Sequence, residues 1–278
     1  MYRQFVGFCA ALIVVAVFAP PTKADLLAYE GFDYPNGTLL RLVGDEGGFG
    51  WEGTWTASND KIAIRTAAAL SYTDAFGVPL PAEGLGLHVE RTYRTGSRLL
   101  LNPISEPGVY WISFLIQPTY IFYEGQSSTL HFELRVGTTV RATFGKFSSN
   151  PNYGIKFGSA TAYSGVDAEE NDAGVFPLQL IVVRYEIGSS TDDGTVHLFM
   201  NPNFGPDNAP ALEDADAVLT GLNSNNMPFD GVNITTTGWV GANPKTDIGR
   251  GYIDEIRIAT TYADATVPND PATMLLVW

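Results

Sequence analysis

Cysteine is all but missing from this chain of 278 residues, with Cys9 its single example, and one cysteine excludes an internal disulfide. Cys9 also falls within an N-terminal stretch that reads as a cleavable leader. The chain that follows therefore offers neither a thiol nucleophile nor a thiolate metal ligand. Basic residues are scarce too, 16 Lys and Arg against 30 Asp and Glu, for a formal charge of −14. That balance argues against a nucleic-acid partner and against binding an anionic membrane through a basic surface. The only histidines are His88, His131 and His197. A three-histidine metal centre would need all of them to converge, and their spacing suggests nothing of the kind. No Gly-x-Ser-x-Gly is present to support serine catalysis. The Gly47-Gly48-Phe49-Gly50 run lacks the lysine and helix of a phosphate loop, so it reads as a turn.

What is present begins with that leader. Residues 1–24 carry Arg3 in a basic n-region, an apolar core over residues 5–19 and the small Ala24 at a peptidase-like boundary. The apolar core is shorter than the about 20 residues of a membrane span, and no later stretch approaches that length. The expectation is a secreted protein, outside the cell or on its surface, with no membrane insertion once the leader is gone. Removing Arg3 and Lys23 takes the net charge from −14 to −16. Without disulfides the remaining chain depends on its core, and about 250 residues can bury a sizeable one.

Helical periodicity is nearly absent beyond the leader. Short runs of Val, Ile, Phe, Tyr and Thr instead alternate with Gly, Pro, Asn and Asp, which predicts an all-β, antiparallel two-sheet jelly-roll sandwich. Strands are expected over residues 26–32, 85–89, 97–101, 109–117, 129–136, 139–146, 153–157, 177–187, 195–201, 235–240 and 252–260. No repeat or Pro/Ser-rich linker divides the chain. We read residues 25–268 as one sandwich and 269–278 as a short tail. The clearest hairpin turns at Asp192-Asp193-Gly194, where the Asp-Gly step tolerates positive φ. The strand before it is apolar on both faces and should be central. In residues 129–136, Leu130, Phe132, Leu134 and Val136 point one way and His131, Glu133 and Arg135 the other, so the second set marks a polar, ligand-facing surface.

Several segments together resemble a family. Tyr29-Glu-Gly-Phe-Asp-Tyr-Pro-Asn-Gly37, Gly47-Gly-Phe-Gly-Trp51 leading to Trp55, Val182-Val-Arg-Tyr185 with Leu198-Phe-Met-Asn-Pro202, and Ile253-Asp-Glu-Ile-Arg-Ile258 with Thr261-Tyr-Ala-Asp264 look like secreted bacterial proteins of the concanavalin A-like lectin/glucanase, or laminin-G-like, class. Many of those carry a PEP-CTERM sorting tail. After Thr266-Val-Pro268 this sequence has no Pro-Glu-Pro motif and no basic terminus, so the tail is not evident here. The resemblance implies that the first and last strands lie side by side, which would bring Asp254 near the Glu30–Asp33 segment. Related sandwiches often hold a structural Ca²⁺ near their paired termini, so Asp254 and then Glu30 are the candidate carboxylates. The acidic runs Asp167–Asp172 and Asp207–Asp216 lack EF-hand spacing and read as solvated loops.

Function is less legible than fold. Enzymes of this fold that cleave β-glucans present Glu-x-Asp-x-(x)-Glu on one strand, and no such triplet occurs here. Glycan binding by stacking on exposed aromatics is the leading expectation, with extracellular or cell-surface polysaccharide as partner. Trp51, Trp55, Tyr120, Tyr123 and Trp239 are the candidates. Tyr120 and Tyr123 stand out because Pro118, Gly125 and Gln126 place them in a loop. Trp51 and Trp55 fit better against the sandwich edge, and Trp111 in the core. His131 and Arg135 would supply polar contacts. The alternative is a polysaccharide lyase or hydrolase in which His131 is the base, Glu133 its neighbour and Arg135 the group that neutralises a sugar carboxylate; a cross-strand charge ladder is the structural reading of the same residues. A structural surface or matrix protein is a further alternative. No organic cofactor is implied. Asn36-Gly-Thr38 and Asn233-Ile-Thr235 match the N-glycosylation pattern, which would be incidental in a bacterial protein of the kind the resemblance implies.

Overall fold

The computed structural model describes residues 26–43, 47–57, 62–64, 70–80, 84–89, 94–118, 129–168, 176–205, 208–237 and 251–266. Within them the strands run in chain order as β1 (Leu26–Glu30), β2 (Trp51–Ala57), β3 (Ile62–Ile64), β4 (Tyr72–Thr73), β5 (Pro79–Leu80), β6 (Leu87–Val89), β7 (Arg94–Ile104), β8 (Gly108–Pro118), β9 (Thr129–Val136), β10 (Thr139–Lys146), β11 (Asn152–Phe157), β12 (Ala160–Asp167), β13 (Gln179–Ile187), β14 (Gly194–Met200), β15 (Ala217–Leu222), β16 (Phe229–Thr237) and β17 (Gly251–Ala259), followed by the short helix α1 (Tyr262–Thr266). Two large antiparallel sheets form a sandwich of jelly-roll type. One has the order β15-β14-β13-β8-β17-β6-β3 with β1 also paired to β17, and the other has the order β12-β11-β10-β9-β16-β7-β2.

The alternation seen in the sequence sorts side chains between layers. Ile112, Phe114, Ile116, Ile181, Val183 and Ile253 from the eight-stranded sheet meet Leu130, Phe132, Leu134, Phe144, Val232 and Ile234 from the seven-stranded sheet in one buried core. Phe114 and Phe132 touch across the gap with ring centroids 5.0 Å apart. As expected, β13 is central and apolar on both faces. Its Leu180 and Val182 join Trp111, Leu115, Phe199 and Tyr262 in a second apolar cluster on the outer side of the eight-stranded sheet. That cluster also takes Leu70 and Leu80, the latter on the β4–β5 hairpin, and Ala265 of α1, so these short elements cover a face that would otherwise expose apolar area. Asp74 fastens the hairpin by accepting from the N–H groups of Phe76, Val78 and Phe204.

The first and last strands do lie side by side, with Glu30 opposite Ile256 and Tyr29 opposite Arg257. The strand edge of β17 is shared. Gly251–Ile253 pair with β6, and Ile256–Ala259 pair with β1. Between the two sits a β-bulge. Asp254 is opposite Leu115 and Arg257 opposite Ser113, three steps against two, and Glu255 has φ +54°. One extra residue there kinks the strand and lets it change partners.

The short β3, β4 and β5 escaped the sequence pattern, β16 begins at Phe229 rather than at the expected 235, and three longer strands, β2, β12 and β15, were missed as well. β2 is interrupted by Gly53 at φ +64°, while β12 and β15 carry few β-branched residues in phase. All three lie at or near sheet edges, where packing rather than propensity sets the conformation.

Candidate functional site

The register of the seven-stranded sheet builds a polar outer face one row at a time. Glu133 on β9 is opposite Thr143 on β10, which is opposite Lys156 on β11. On its other side Glu133 is opposite Asn233 on β16, which is opposite Ser97 on β7. The row ends with Thr161 on β12 and Thr56 on β2, so it is polar across all seven strands. Because side chains alternate along every strand, Phe132 and Leu134 fill the core while their neighbours make this face.

Hydrogen bonds knit the centre of the face. The Glu133 carboxylate accepts from His131 Nε2 at 3.0 Å, from Asn233 Nδ2 at 2.9 Å and from Thr235 Oγ1 at 3.4 Å. Ser97 Oγ donates to Asn233 Oδ1 at 2.8 Å, fixing the amide. Burial alone would push the Glu133 carboxyl up, but the hydrogen bond and charge of His131, with Asn233 and Thr235, hold it below its ordinary value. Glu133 is thus kept ionised and saturated. His131 and Glu133 are buried, with side chains 8 % and 12 % exposed. With Nε2 given to Glu133, His131 Nδ1 is buried and has no hydrogen-bond partner among the described residues. Arg135 turns Nη1 to the carbonyl of Gly137, and its Nε is also buried without a described partner.

On the side of β10 and β11, the row beside Glu133 is bare. His131 is opposite Gly145, which is opposite Gly154, which is opposite Tyr163. Gly145 has φ +119°, and a Cβ there would lie 3.1 Å from His131 Cα. The Tyr163 ring, stacked on Phe147 at 5.6 Å, leans over Gly154. The floor next to His131 is therefore backbone alone, closed at its far end by an aromatic.

The structure thus brings His131, Glu133 and Arg135 onto one face, as the alternation predicts. Tyr120, Tyr123 and Trp239 lie outside the described residues. Trp51 and Trp55 are buried in the main core on the edge strand β2, and Trp111 is buried under α1. Sequence reasoning missed Asn233, Thr235, Ser97 and Thr143. Asn233 had been noticed only as a glycosylation pattern, yet it is 8 % exposed and its amide is spent on Glu133 and Ser97, so it is no acceptor for a glycan. The usable clue was phase: polar residues at every second position of β16.

Asp254 and Glu30 come apart. Glu30 points between the sheets, where its carboxylate accepts from Arg98 Nη1 at 2.5 Å, Trp55 Nε1 at 2.8 Å, Tyr34 OH at 3.2 Å and the Phe32 N–H at 2.9 Å. Asp254 points to the outer side of the other sheet, accepting from the N–H groups of Leu70 and Glu255. A calcium ion does not fit this pair, because the two carboxylates lie on opposite faces and Glu30 already neutralises a guanidinium. Among the described residues no group of three or more His, Cys, Asp or Glu side chains is placed to hold a metal. The paired acidic step instead forms the bulge, where Glu255 accepts from Tyr29 OH and from Arg257 Nη2 at 2.6 Å.

Burial, and then the charge of Glu255, push the Asp254 carboxyl well above its ordinary range. The folded protein therefore keeps a proton that the unfolded chain releases above about pH 4. The stability that goes with this proton is present below the unfolded pKa and is lost as pH rises through the folded one. Carboxylates with lowered values, such as Asp74 and Glu133, act in the opposite sense. The difference between Asp254→Asn and the parent isolates the effect: it should move in favour of the variant as pH rises from 4 to 8 in urea unfolding. A difference independent of pH would contradict the burial argument.

No protein-family model matches the chain, and no curated protein matches it in sequence. Among solved structures, the T. cruzi calreticulin globular domain is similar with 14 % identity and a TM-score of 0.47, over 85 % of this chain and 88 % of that one. The Emp47p carbohydrate recognition domain gives 9 % identity and a TM-score of 0.44, over 87 % and 99 %. The catalytic domain of the glycoside hydrolase family 131 protein from Coprinopsis cinerea gives 12 % identity and a TM-score of 0.43, over 84 % and 98 %. Likenesses at this level carry no argument about a ligand.

Proposed function

We propose that this chain is a non-catalytic glycan-binding sandwich acting outside the cell, and that the polar outer face of the seven-stranded sheet is its binding surface. The observation that carries the reading is His131. A buried imidazole nitrogen without a partner costs free energy, about 1–3 kcal/mol for a polar group left unsatisfied, unless something hydrogen-bonds to it. With Nε2–H donated to an ionised Glu133, Nδ1 is left for a sugar hydroxyl, accepting from it in the neutral ring and donating to it in the charged one. The strip over Gly145 and Gly154 puts no side chain beside it, and the hydroxyls of Thr143 and Thr161 in the neighbouring row are further groups for contact.

Binding is favoured over hydrolysis by the state of the carboxylate. Glycosidases need an acid of raised pKa beside a second carboxylate, whereas Glu133 is held low and is the one carboxylate in its row. A lyase remains the second reading, because a histidine oriented by a carboxylate with its other nitrogen free is how a general base is built.

Native electrophoresis through gels containing neutral and acidic polysaccharides, with parallel assays for released sugar ends, tests this reading. Retardation without product, reduced at least tenfold in apparent affinity by His131→Ala, is the expected result. Product formation that depends on His131 would replace the binding module with the lyase. Self-association with neither effect would favour a structural protein.

A further inference from the structure

The charge of the whole molecule and the charge of this face differ in sense. Acidic residues outnumber basic ones 30 to 16 in the chain. On the outer face of the seven-stranded sheet, however, the central carboxylate is spent on His131, Asn233 and Thr235, and two cations stand near it. Lys156 is exposed, two strands from Glu133 in the same row. Arg135 occupies the next row on β9, opposite Gly231. Neither takes part in an ion pair among the described residues. Asp230, beside Gly231, accepts from the N–H of Gly137, the residue whose carbonyl takes Arg135 Nη1, and Glu52 sits in the Arg135 row on the outermost strand, beyond Gly231 and Leu99. Three strand spacings make that about 14 Å from Arg135. This exceeds the Debye length of about 8 Å at physiological salt, so Glu52 is largely screened at the centre of the face, while both oxygens of Asp230 are spent on the Gly137 N–H.

We propose that the glycan bound here bears carboxylates, as a uronate-containing polysaccharide does, with Arg135 and Lys156 as the groups that select it. The proposal rests on the reading of this face as a glycan surface. Arg135 is half-buried, its Nη1 is spent on Gly137 and its buried Nε–H has no described partner, so the guanidinium keeps donor capacity for a ligand. An arginine edge matches the two oxygens of a carboxylate, and Lys156 adds a point charge beside Thr143. His131 Nδ1 and the glycine strip then take the sugar hydroxyls and ring.

The test compares a polyuronate with the same polymer after reduction of its carboxyl groups to neutral sugars, and with a sulfated form of the reduced polymer. Binding of the full protein is titrated at about 20 mM and about 150 mM salt, where the Debye length differs by more than twofold. The polyuronate should bind at least tenfold tighter than the reduced polymer and weaken as salt rises. The ratio between the two should fall about threefold in Lys156→Gln and about tenfold in Arg135→Gln, in line with an exposed charge and a partly buried one. Thermal melting of both variants checks that they fold. Equal affinity for polyuronate and reduced polymer overturns the carboxylate assignment while leaving glycan binding intact. Equal affinity for the sulfated and carboxylated forms assigns selection to charge alone and overturns the arginine–carboxylate match. Failure of all three polymers, and of a neutral panel, removes the glycan reading itself.

Discussion

Glu30→Ala is expected to cost about 3–5 kcal/mol of folding stability, the usual penalty for removing one partner of a buried ion pair. The size follows from the number of groups that Glu30 serves. Glu30 is fully buried and Arg98 is 2 % exposed, and one carboxylate satisfies the guanidinium, the Trp55 indole N–H, the Tyr34 hydroxyl and the Phe32 N–H. Alanine leaves a cation and several donors without that acceptor between the sheets, at a point where β1, β2 and β7 converge. For a chain of this size each kcal/mol lowers Tm by about 2–4 °C, so a fall of about 6–20 °C should appear in thermal unfolding. Replacing both partners by apolar residues of similar volume, Glu30→Leu with Arg98→Met, should recover most of the loss, since paired burial gains little over packing. A single-variant loss under about 1 kcal/mol would mean that the pair behaves as if solvated.

Phe132→Ala should cost about as much, about 3–5 kcal/mol, by a different route. The ring is fully buried, and its removal opens a cavity where it meets Phe114 between the sheets. Its backbone neighbours His131 and Glu133 point to the other face and are held by strand pairing on both sides, with Phe132 itself opposite Phe144 and Ile234. Stability and binding should therefore separate. At a temperature where the variant is still folded, glycan affinity should stay within about threefold of the parent, because the polar row does not depend on the lost volume. Asn233→Ala should show the reverse, a modest effect on stability and a larger one on binding, because it frees Glu133 and lets His131 turn. Urea titrations and binding isotherms on the two variants make the comparison. Loss of binding in folded Phe132→Ala would show that the outer face is coupled to core packing.

Much of this was legible beforehand, and the legible parts share a cause. The polar phase of β9 and the two-faced apolar strand β13 are local patterns that the two-residue period of a strand writes directly into the sequence, whereas the pairing of the first and last strands was what the family resemblance implied. The Glu30–Arg98 centre is different. Arg98 lies in phase with Leu100, and Glu30 with Ala28, so each is a charged residue at an inward position. That phase was the one available clue. It shows that such a charge needs a partner without saying which residue supplies it, and 68 positions separate the two.

The sequence determined, by itself, an all-β chain without disulfides, its strand phases, and a face on which His131, Glu133 and Arg135 stand together. Those properties come from backbone alternation and composition, which act over a few residues at a time. Tertiary structure decided the rest. It set Asn233 and Thr235 beside Glu133 through register, and placed Gly145 and Gly154 in one row as a bare strip. It also turned Asp254 away from Glu30 through one inserted residue in β17. Each of these depends on which residues of distant strands come to lie opposite one another. A single-residue bulge or slip reverses the face of every side chain after it, so alternation within a strand cannot supply the register between strands.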